Sequence, residues 1–280
     1  MTPVARVPRE RGLPPPPGGG FLGGMQVRER VEAGTLVVLD VGPESGPVAM
    51  AREAELAERA RRGEGAAWIL RIHGWADPVL TLGKTQDPPP ELRAEARAAG
   101  VVLARRPTGG GWLLHLPGDL AVTLVARGPL GPGDFRGTAR LVGEAIAAAL
   151  ARRGTAARAA PAAASPPGTG RAEVCFQRVD REEVKSGSTK VAGVALARAG
   201  RAALVQAAIP LVPAGGPLSA FESRWDPRRA AAVGRTAGVG ERSLAAALGE
   251  EIARRLFGRT GEGAGRDRIP RGPAPGGGRR

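Results

Sequence analysis

The chain has 280 residues, 42% of them hydrophobic and only 3% aromatic, with a formal net charge of +14. That length supports one large domain, or at most two small ones, with a real core. A single cysteine, Cys175, excludes an internal disulfide and any cysteine-based zinc site and fits a reducing, cytoplasmic setting, while the longest apolar runs, such as Leu120–Ala126, are far too short to span a membrane.

Residues 1–33 are rich in Pro, Gly and Arg and cannot bury enough surface to order themselves, so they read as a disordered N-terminal extension. No apolar stretch follows their arginines, which excludes a secretory signal. A globular domain is expected over residues 34–258. Within it, residues 35–41 (TLVVLDV) read as a strand and 48–62 as a helix with Met50, Ala54, Leu56 and Ala60 near one face. Strands follow at 67–73 and 78–83, on either side of a Gly-Trp turn, and a short helix at 90–99 opens with proline. Residues 101–106, 112–116 and 119–126 read as strands and 135–153 as a long helix. Residues 155–170 (TAARAAPAAASPPGTG) read as a mobile loop. Beyond it come strands around Cys175, at 190–198 and at 202–211, then helices near 227–233 and 243–257. Residues 259–280 form a second Gly/Pro/Arg-rich, disordered tail. Strands clustered around a few helices, without regular βαβ alternation, predict an α+β domain with a mixed β-sheet flanked by helices.

Three segments carry candidate chemistry. In "ARRPTGGGWLLHL" (104–116) the successive glycines Gly109, Gly110 and Gly111 leave backbone amides uncovered and let a ligand approach the main chain, and Arg105 and Arg106 suit an anion. A plain glycine turn explains the same residues equally well. His115 shares a strand face with Leu113 and serves either as packing or as a ligand contact. In "STKVAGVALAR" (188–198) alternation puts Lys190, Ala192, Val194 and Leu196 on one face and Val191, Gly193 and Ala195 on the other. A lysine on an apolar face is either an edge residue snorkelling to water or an ammonium set to meet developing negative charge. Cys175, taken alone, is a small buried hydrophobe as readily as a nucleophile. A hairpin turning near 186–188 places it roughly 30 Å from Lys190 along an extended strand, so the two meet only if the segment bearing Cys175 folds back over the sheet. Lysine occurs only at 84, 185 and 190, and asparagine and tyrosine are absent. This is the signature of a G+C-rich coding bias, and the positive charge therefore does not by itself point to a nucleic-acid partner.

Together these segments resemble the lipoate–protein ligase and octanoyltransferase superfamily, which shares its catalytic fold with biotin–protein ligases. "RIHGWADPVLTLGKTQ" is similar to the family's pattern of Arg, Trp, Gly and Gln, placing Gly83 and Gln86 on it. "RRPTGGGWLLH" resembles its Arg-Arg-x-Ser/Thr-Gly-Gly-Gly loop, which covers the acyl tail and brings in Thr108. "TKVAGVALAR" resembles the segment holding the active-site lysine, which places Lys190 and Gly193 there. One branch of cysteine-dependent octanoyltransferases has a Cys-Phe pair fifteen residues before that lysine, and Cys175-Phe176 reproduces the spacing.

The resemblance implies an enzyme without metal or cofactor. The Cys175 thiolate would take an octanoyl group from acyl carrier protein and pass it to a lysine of a lipoyl domain or of glycine-cleavage H protein, with Lys190 stabilising thiolate and oxyanion. Arg105, Arg106, Thr108, Gly109, Gly110, Gly111, His115, Gly83, Gln86 and Gly193 would contact substrate. Nucleic acid and membrane are not expected partners. An ATP-dependent ligase acting through an acyl-adenylate, with ATP and magnesium, is one alternative. A degenerate, non-catalytic binder of lipoyl domains is another, motivated by Gln206-Ala207 and Val194 where the family has His-Gly and Ser.

Overall fold

A computed structural model describes residues 28–32, 36–128, 134–161, 174–177 and 179–258. Eight strands form the main sheet: β1 (Arg28–Glu32), β2 (Leu36–Glu44), β3 (Trp68–Trp75), β7 (Leu120–Ala126), β8 (Ala157–Ala159), β9 (Val184–Ser186), β10 (Thr189–Ala199) and β11 (Ala202–Ile209). Their spatial order is β1-β2-β3-β7-β11-β10-β9-β8. Only β2 and β3 pair in parallel, which requires a crossover, and helix α1 (Gly46–Arg61) supplies it. A second sheet, in the order β5-β4-β6, contains β4 (Val79–Leu82), β5 (Val102–Arg105) and β6 (Leu113–His115). The parallel β4–β5 pair is linked by α2 (Pro90–Ala98). The expected mixed-sheet α+β architecture is what the chain adopts.

Period-two alternation gives the main sheet two different faces. Leu70 and Ile72 of β3, Leu120, Val122 and Leu124 of β7, and Val205 and Ile209 of β11 pack against α3 (Phe135–Ala151) and α6 (Glu241–Phe257). The α3 stripe there is Ala139, Val142, Ala145, Ile146, Ala149 and Leu150, all nearly inaccessible to solvent. The Asp134 side chain caps this helix by accepting from the Gly137 amide at 2.7 Å. The opposite face carries Arg71, His73, Trp75, Ala121, Thr123, Gln206 and Ala208 under α1 and the small sheet. The two faces thus separate core from cavity.

Several expectations need correction. Arg28–Glu32 lies inside the segment expected to be disordered, yet pairs with β2 as an edge strand; residues 1–27 and 259–280 lie outside the described residues. The start of the expected loop 155–170 is partly strand, since Ala157–Ala159 pairs with β9; residues 162–170 are not described. The strands on either side of the Gly-Trp turn belong to different sheets. β3 runs through Trp75, and β4 begins the second sheet. Residues around Cys175 form a 3₁₀ turn, Cys175–Gln177, instead of a strand. A helix unforeseen in the sequence, α4 (Pro217–Trp225), precedes α5 (Arg229–Thr236). Among the described residues no helix is long and apolar enough to cross a membrane.

Candidate active site

Sheet register lines up two rows of residues on the cavity face. One runs His73–Ala121–Ala208–Gly193 across β3, β7, β11 and β10. The next runs Arg71–Thr123–Gln206–Ala195. The first row is a trough because three of its four members carry a methyl group or nothing. Over it sit Met50 and Glu53 of α1, Thr81, Leu113 and His115 of the small sheet, and Arg106, which together line a half-open pocket. Cys175, Gly193 and Val194 line one end of it.

Cys175 and Lys190 meet through two local devices. The first tethers the turn: the Cys175 amide donates to the Trp112 carbonyl at 2.8 Å, and Val174 bridges Trp112 in parallel. The segment therefore folds back over the sheet onto the strand that follows the three glycines. The second is a bulge in β10. Its register against β9 shifts between Lys190 and Ala192, so that Val191 and Ala192 both pack into the core below. Strict alternation would put Lys190 and Gly193 on opposite faces. The bulge puts them on one. A Cβ built on Gly193 would stand 3.2 Å from Cys175 Sγ and 3.6 Å from Lys190 Cε, so only glycine gives this pair unobstructed room.

The Lys190 ammonium is buried and has three named acceptors around it. It donates to the Glu183 carboxylate at 2.5 Å and to the Cys175 carbonyl at 2.6 Å, and lies 3.6 Å from Cys175 Sγ. It also sits 5.2 Å from the centre of the Phe176 ring. Burial works against its charge, but the Glu183 carboxylate beside it helps hold its pKa above the ordinary lysine value. Burial pushes the Cys175 thiol up; Lys190 and Arg106 pull it down, and Glu183 and Asp226 push it further up. The resting sulfur is therefore a thiol with a cation at hand.

A polar lattice supports the far end of the trough. Glu53, buried on α1, accepts from Arg71 at 2.8 Å and contacts His73 Nε2 at 3.1 Å, and Gln206 donates to it as well. Gln206 in turn accepts from the Thr108 hydroxyl at 2.5 Å. His115 stacks on Trp75 at 4.2 Å between ring centres and contacts Thr81 Oγ1 at 2.9 Å. Burial, reinforced by Arg106 and Arg229, holds its pKa well below the usual histidine value, so it is a neutral wall of the cavity.

The other expected residues build the glycine loop. Arg106 donates to the carbonyls of Thr81, Gly109 and Gly111 and to the Thr81 hydroxyl, between 2.7 and 3.1 Å. Arg105, at the surface, donates to the carbonyls of Gly83, Lys84 and Gln86. Both guanidiniums are thus committed to shaping the loop; of the two, only Arg106 lines the cavity. Gln86 Oε1 accepts from the Gly83 amide at 2.9 Å. Gly83 packs so tightly on Gly110 that an added Cβ would lie 2.0 Å from the Gly110 carbonyl oxygen. Gly109 and Gly110 are exposed, Gly111 and Thr108 buried. From the expected set, the cavity brings together Cys175, Gly193, Arg106 and His115, with Lys190 against the sulfur; Gly83, Gln86, Arg105, Thr108, Gly109, Gly110 and Gly111 form its frame. Sequence reasoning missed Glu183, Glu53, Met50, Thr81 and Trp75 as members of the site. For Glu183 there was a usable signal: a lysine on an apolar face needs a countercharge, and a hairpin turning at Gly187–Ser188 pairs Lys190 with Lys185 and leaves Glu183 two positions further on, within reach of a long side chain.

A mixed sheet carrying a pocket between its small-residue face, α1 and a second small sheet defines a lipoate–protein ligase-like catalytic fold. The model of the lipoyl protein ligase A/B catalytic domain matches residues 45–256, and the chain belongs to that family. It is 34% identical over 167 residues to octanoyltransferase LipM of Symbiobacterium thermophilum, a match spanning 58% of this chain and 60% of that protein. Two solved structures share the fold. Lipoate-protein ligase A bound with ATP has a TM-score of 0.57 at 22% identity, covering 79% of this chain and 85% of its own. A bipartite lipoate protein ligase with its E2 lipoyl domain, from Thermoplasma acidophilum, has a TM-score of 0.51 at 21% identity, covering 79% and 83%.

Proposed function

We propose that the protein is an octanoyltransferase that moves an eight-carbon acyl group from a carrier-protein thioester to a lysine amine of a lipoyl domain or of glycine-cleavage H protein, through a thioester on Cys175. The observation that carries this reading is the 3.6 Å approach of Lys190 Nζ to the chain's one thiol, at the end of an apolar trough. The trough's small residues Ala121, Ala208 and Gly193 cross two inter-strand spacings, about 10 Å, which matches an extended eight-carbon chain of about 9 Å by ordinary bond lengths. The similarity to an octanoyltransferase supports the same acyl group.

In the first step the thiolate attacks the donor carbonyl, the new C–S bond forms, and the carrier's sulfur leaves with its electron pair and takes up a proton. The Lys190 ammonium lies where negative charge develops on sulfur and then on the carbonyl oxygen, a placement typically worth a few kcal/mol. In the second step the acceptor amine attacks the enzyme thioester, loses a proton, and leaves an amide while Cys175 regains its hydrogen. A thioester donor is already activated, so the reaction needs no nucleotide. The positively charged chain would attract acidic protein substrates by long-range steering.

Intact-mass measurement after incubation with octanoyl carrier protein tests this. One octanoyl added to the wild type, absent from Cys175→Ala and passed on to a lipoyl domain, is the expected result. Loading only from free octanoate with ATP and magnesium would replace the transferase by a ligase. Binding of lipoyl domains with no loading from either donor would mark a non-catalytic relative.

A further inference from the structure

Glu183 has no part in the chemistry just described, yet the chain accepts local cost to place it. Its neighbour Glu182 is the one non-glycine with positive φ, +65°, among the described residues, a conformation that L side chains adopt only when their surroundings hold them there. The surroundings are α3: the Glu182 carbonyl oxygen approaches Gly143 so closely that an added Cβ would lie 2.0 Å away, and Arg136 of the same helix pairs with the Glu182 carboxylate at 3.2 Å. That clamp turns the chain so that Glu183, buried, reaches Lys190 at 2.5 Å. Sulfur, nitrogen and carboxylate oxygen then stand in one chain of contacts, 3.6 Å and 2.5 Å.

We propose, building on the acyl-transfer reading, that Glu183 is a positioning residue that holds the proton of Cys175 through Lys190. An N–H bond of the Lys190 ammonium breaks as an O–H bond forms on Glu183, and the lone pair so freed on nitrogen takes the proton of Cys175, the S–H bond breaking with its electron pair left on sulfur. Thiol, ammonium and carboxylate become thiolate, ammonium and carboxylic acid. Nothing else is consumed, and the summed charge of the buried cluster stays the same. This matters because adding net charge to a buried site is what burial opposes most strongly.

The groups facing this cluster agree with that assignment. Around Glu183 stand Lys190 from β10 and Asp180 from its own segment, whose amide donates to the Glu183 carboxylate at 2.6 Å. Around Cys175 stand Lys190, Glu183, Arg106 and Asp226. Burial raises the Glu183 carboxyl above its ordinary value despite the pull of Lys190, so it accepts a proton more readily than an exposed glutamate.

The test uses the single cysteine of the full chain. Alkylation of Cys175 by iodoacetamide is timed against pH in wild type and in Glu183→Gln. With the relay, thiolate is available without loss of a proton from the cluster, so the wild-type rate stays within about twofold over roughly two pH units near neutrality. In Glu183→Gln each thiolate requires release of a proton, and the rate climbs about tenfold per unit. A wild-type rate that climbs tenfold per unit throughout overturns the proposal, as does a plateau that survives in Glu183→Gln. Should the variant fail to fold, the wild-type profile alone decides. Octanoyl transfer is measured on the same preparation. A plateau without any octanoyl-enzyme leaves the relay standing and removes the acyl-transfer reading; octanoyl-enzyme without a plateau does the reverse.

Discussion

Gly83→Ala probes the joint between the glycine loop and the small sheet. A Cβ there would lie 2.0 Å from the Gly110 carbonyl oxygen, 3.1 Å from its carbonyl carbon and 3.2 Å from its nitrogen. Ordinary contact between such atoms needs roughly 3.5 Å, so the two backbone segments must part by about 1.5 Å. Backbone cannot rotate away as a side chain tip does. The separation strains the Lys84 amide bond to the Thr108 carbonyl and the Gly83 amide bond to Gln86, now 2.8 and 2.9 Å. Overpacking of this kind costs about 1–3 kcal/mol, and each hydrogen bond lost about 1 kcal/mol. The expected total of about 2–4 kcal/mol lowers the melting temperature by roughly 5–15 °C for a domain of this size. Differential scanning calorimetry reads it directly. Gly109→Ala is the built-in control, because a Cβ there meets nothing within 4 Å, and its expected effect is within about 0.5 kcal/mol. Equal melting temperatures for the two variants would refute the claim that close approach, and not glycine richness as such, explains Gly83.

Asp226 titrates near neutrality, pushed up to about 7 by burial against the Leu114 amide and Arg229. Its folded pKa lies above the ordinary 3.8, so the folded state binds more protons across that window and stability falls as pH rises from about 4 to 7, by on the order of 4 kcal/mol. Asp226→Asn should flatten that slope in urea titrations at pH 4.5 and 7.5; parallel slopes for variant and wild type would remove the assignment. Phe176, 2% exposed and packed on Leu113, Ala208 and Ala232, should cost about 3–5 kcal/mol as Phe176→Ala, measured by the same titrations, and a loss below about 1 kcal/mol contradicts its burial. Gln206→Leu removes the partner of the Thr108 hydroxyl and one donor to Glu53. It should destabilise by about 1–3 kcal/mol, and a neutral result would mean that the lattice beneath the trough tolerates unpaired groups.

What could be read in the sequence was whatever a short run of residues determines by itself. Residues 119–126 and 202–211 read as strands, as β7 and β11 are, and the run of glycines between strands marked a loop. The family resemblance, through the 15-residue spacing of Cys175-Phe176 and Lys190, implied a pair that periodicity could not bring together. Readings failed where tertiary contacts overrode local pattern. Cys175 reads as a strand residue, yet the Trp112 carbonyl captures its amide and turns the chain. Lys190 and Gly193 read as opposite-facing until the bulge places Val191 and Ala192 on one side. Arg28–Glu32 orders because β2 offers a partner edge, which composition does not reveal. The arginines before the glycines read as anion binders, but the carbonyls that occupy them come from a loop some twenty residues earlier and from the loop's own fold-back.

The row Ala121–Ala208–Gly193 belongs neither to the aliphatic layer beneath nor to the reacting groups at its end. Exchanging a methyl for a hydrogen at positions 121 or 208 would widen the space there without touching Cys175 or Lys190, whereas an isopropyl at 208 would press on Phe176 beside the sulfur. On the proposed acyl-transfer reading, tail selectivity would therefore lie in this lining and not in the Cys175–Lys190 pair.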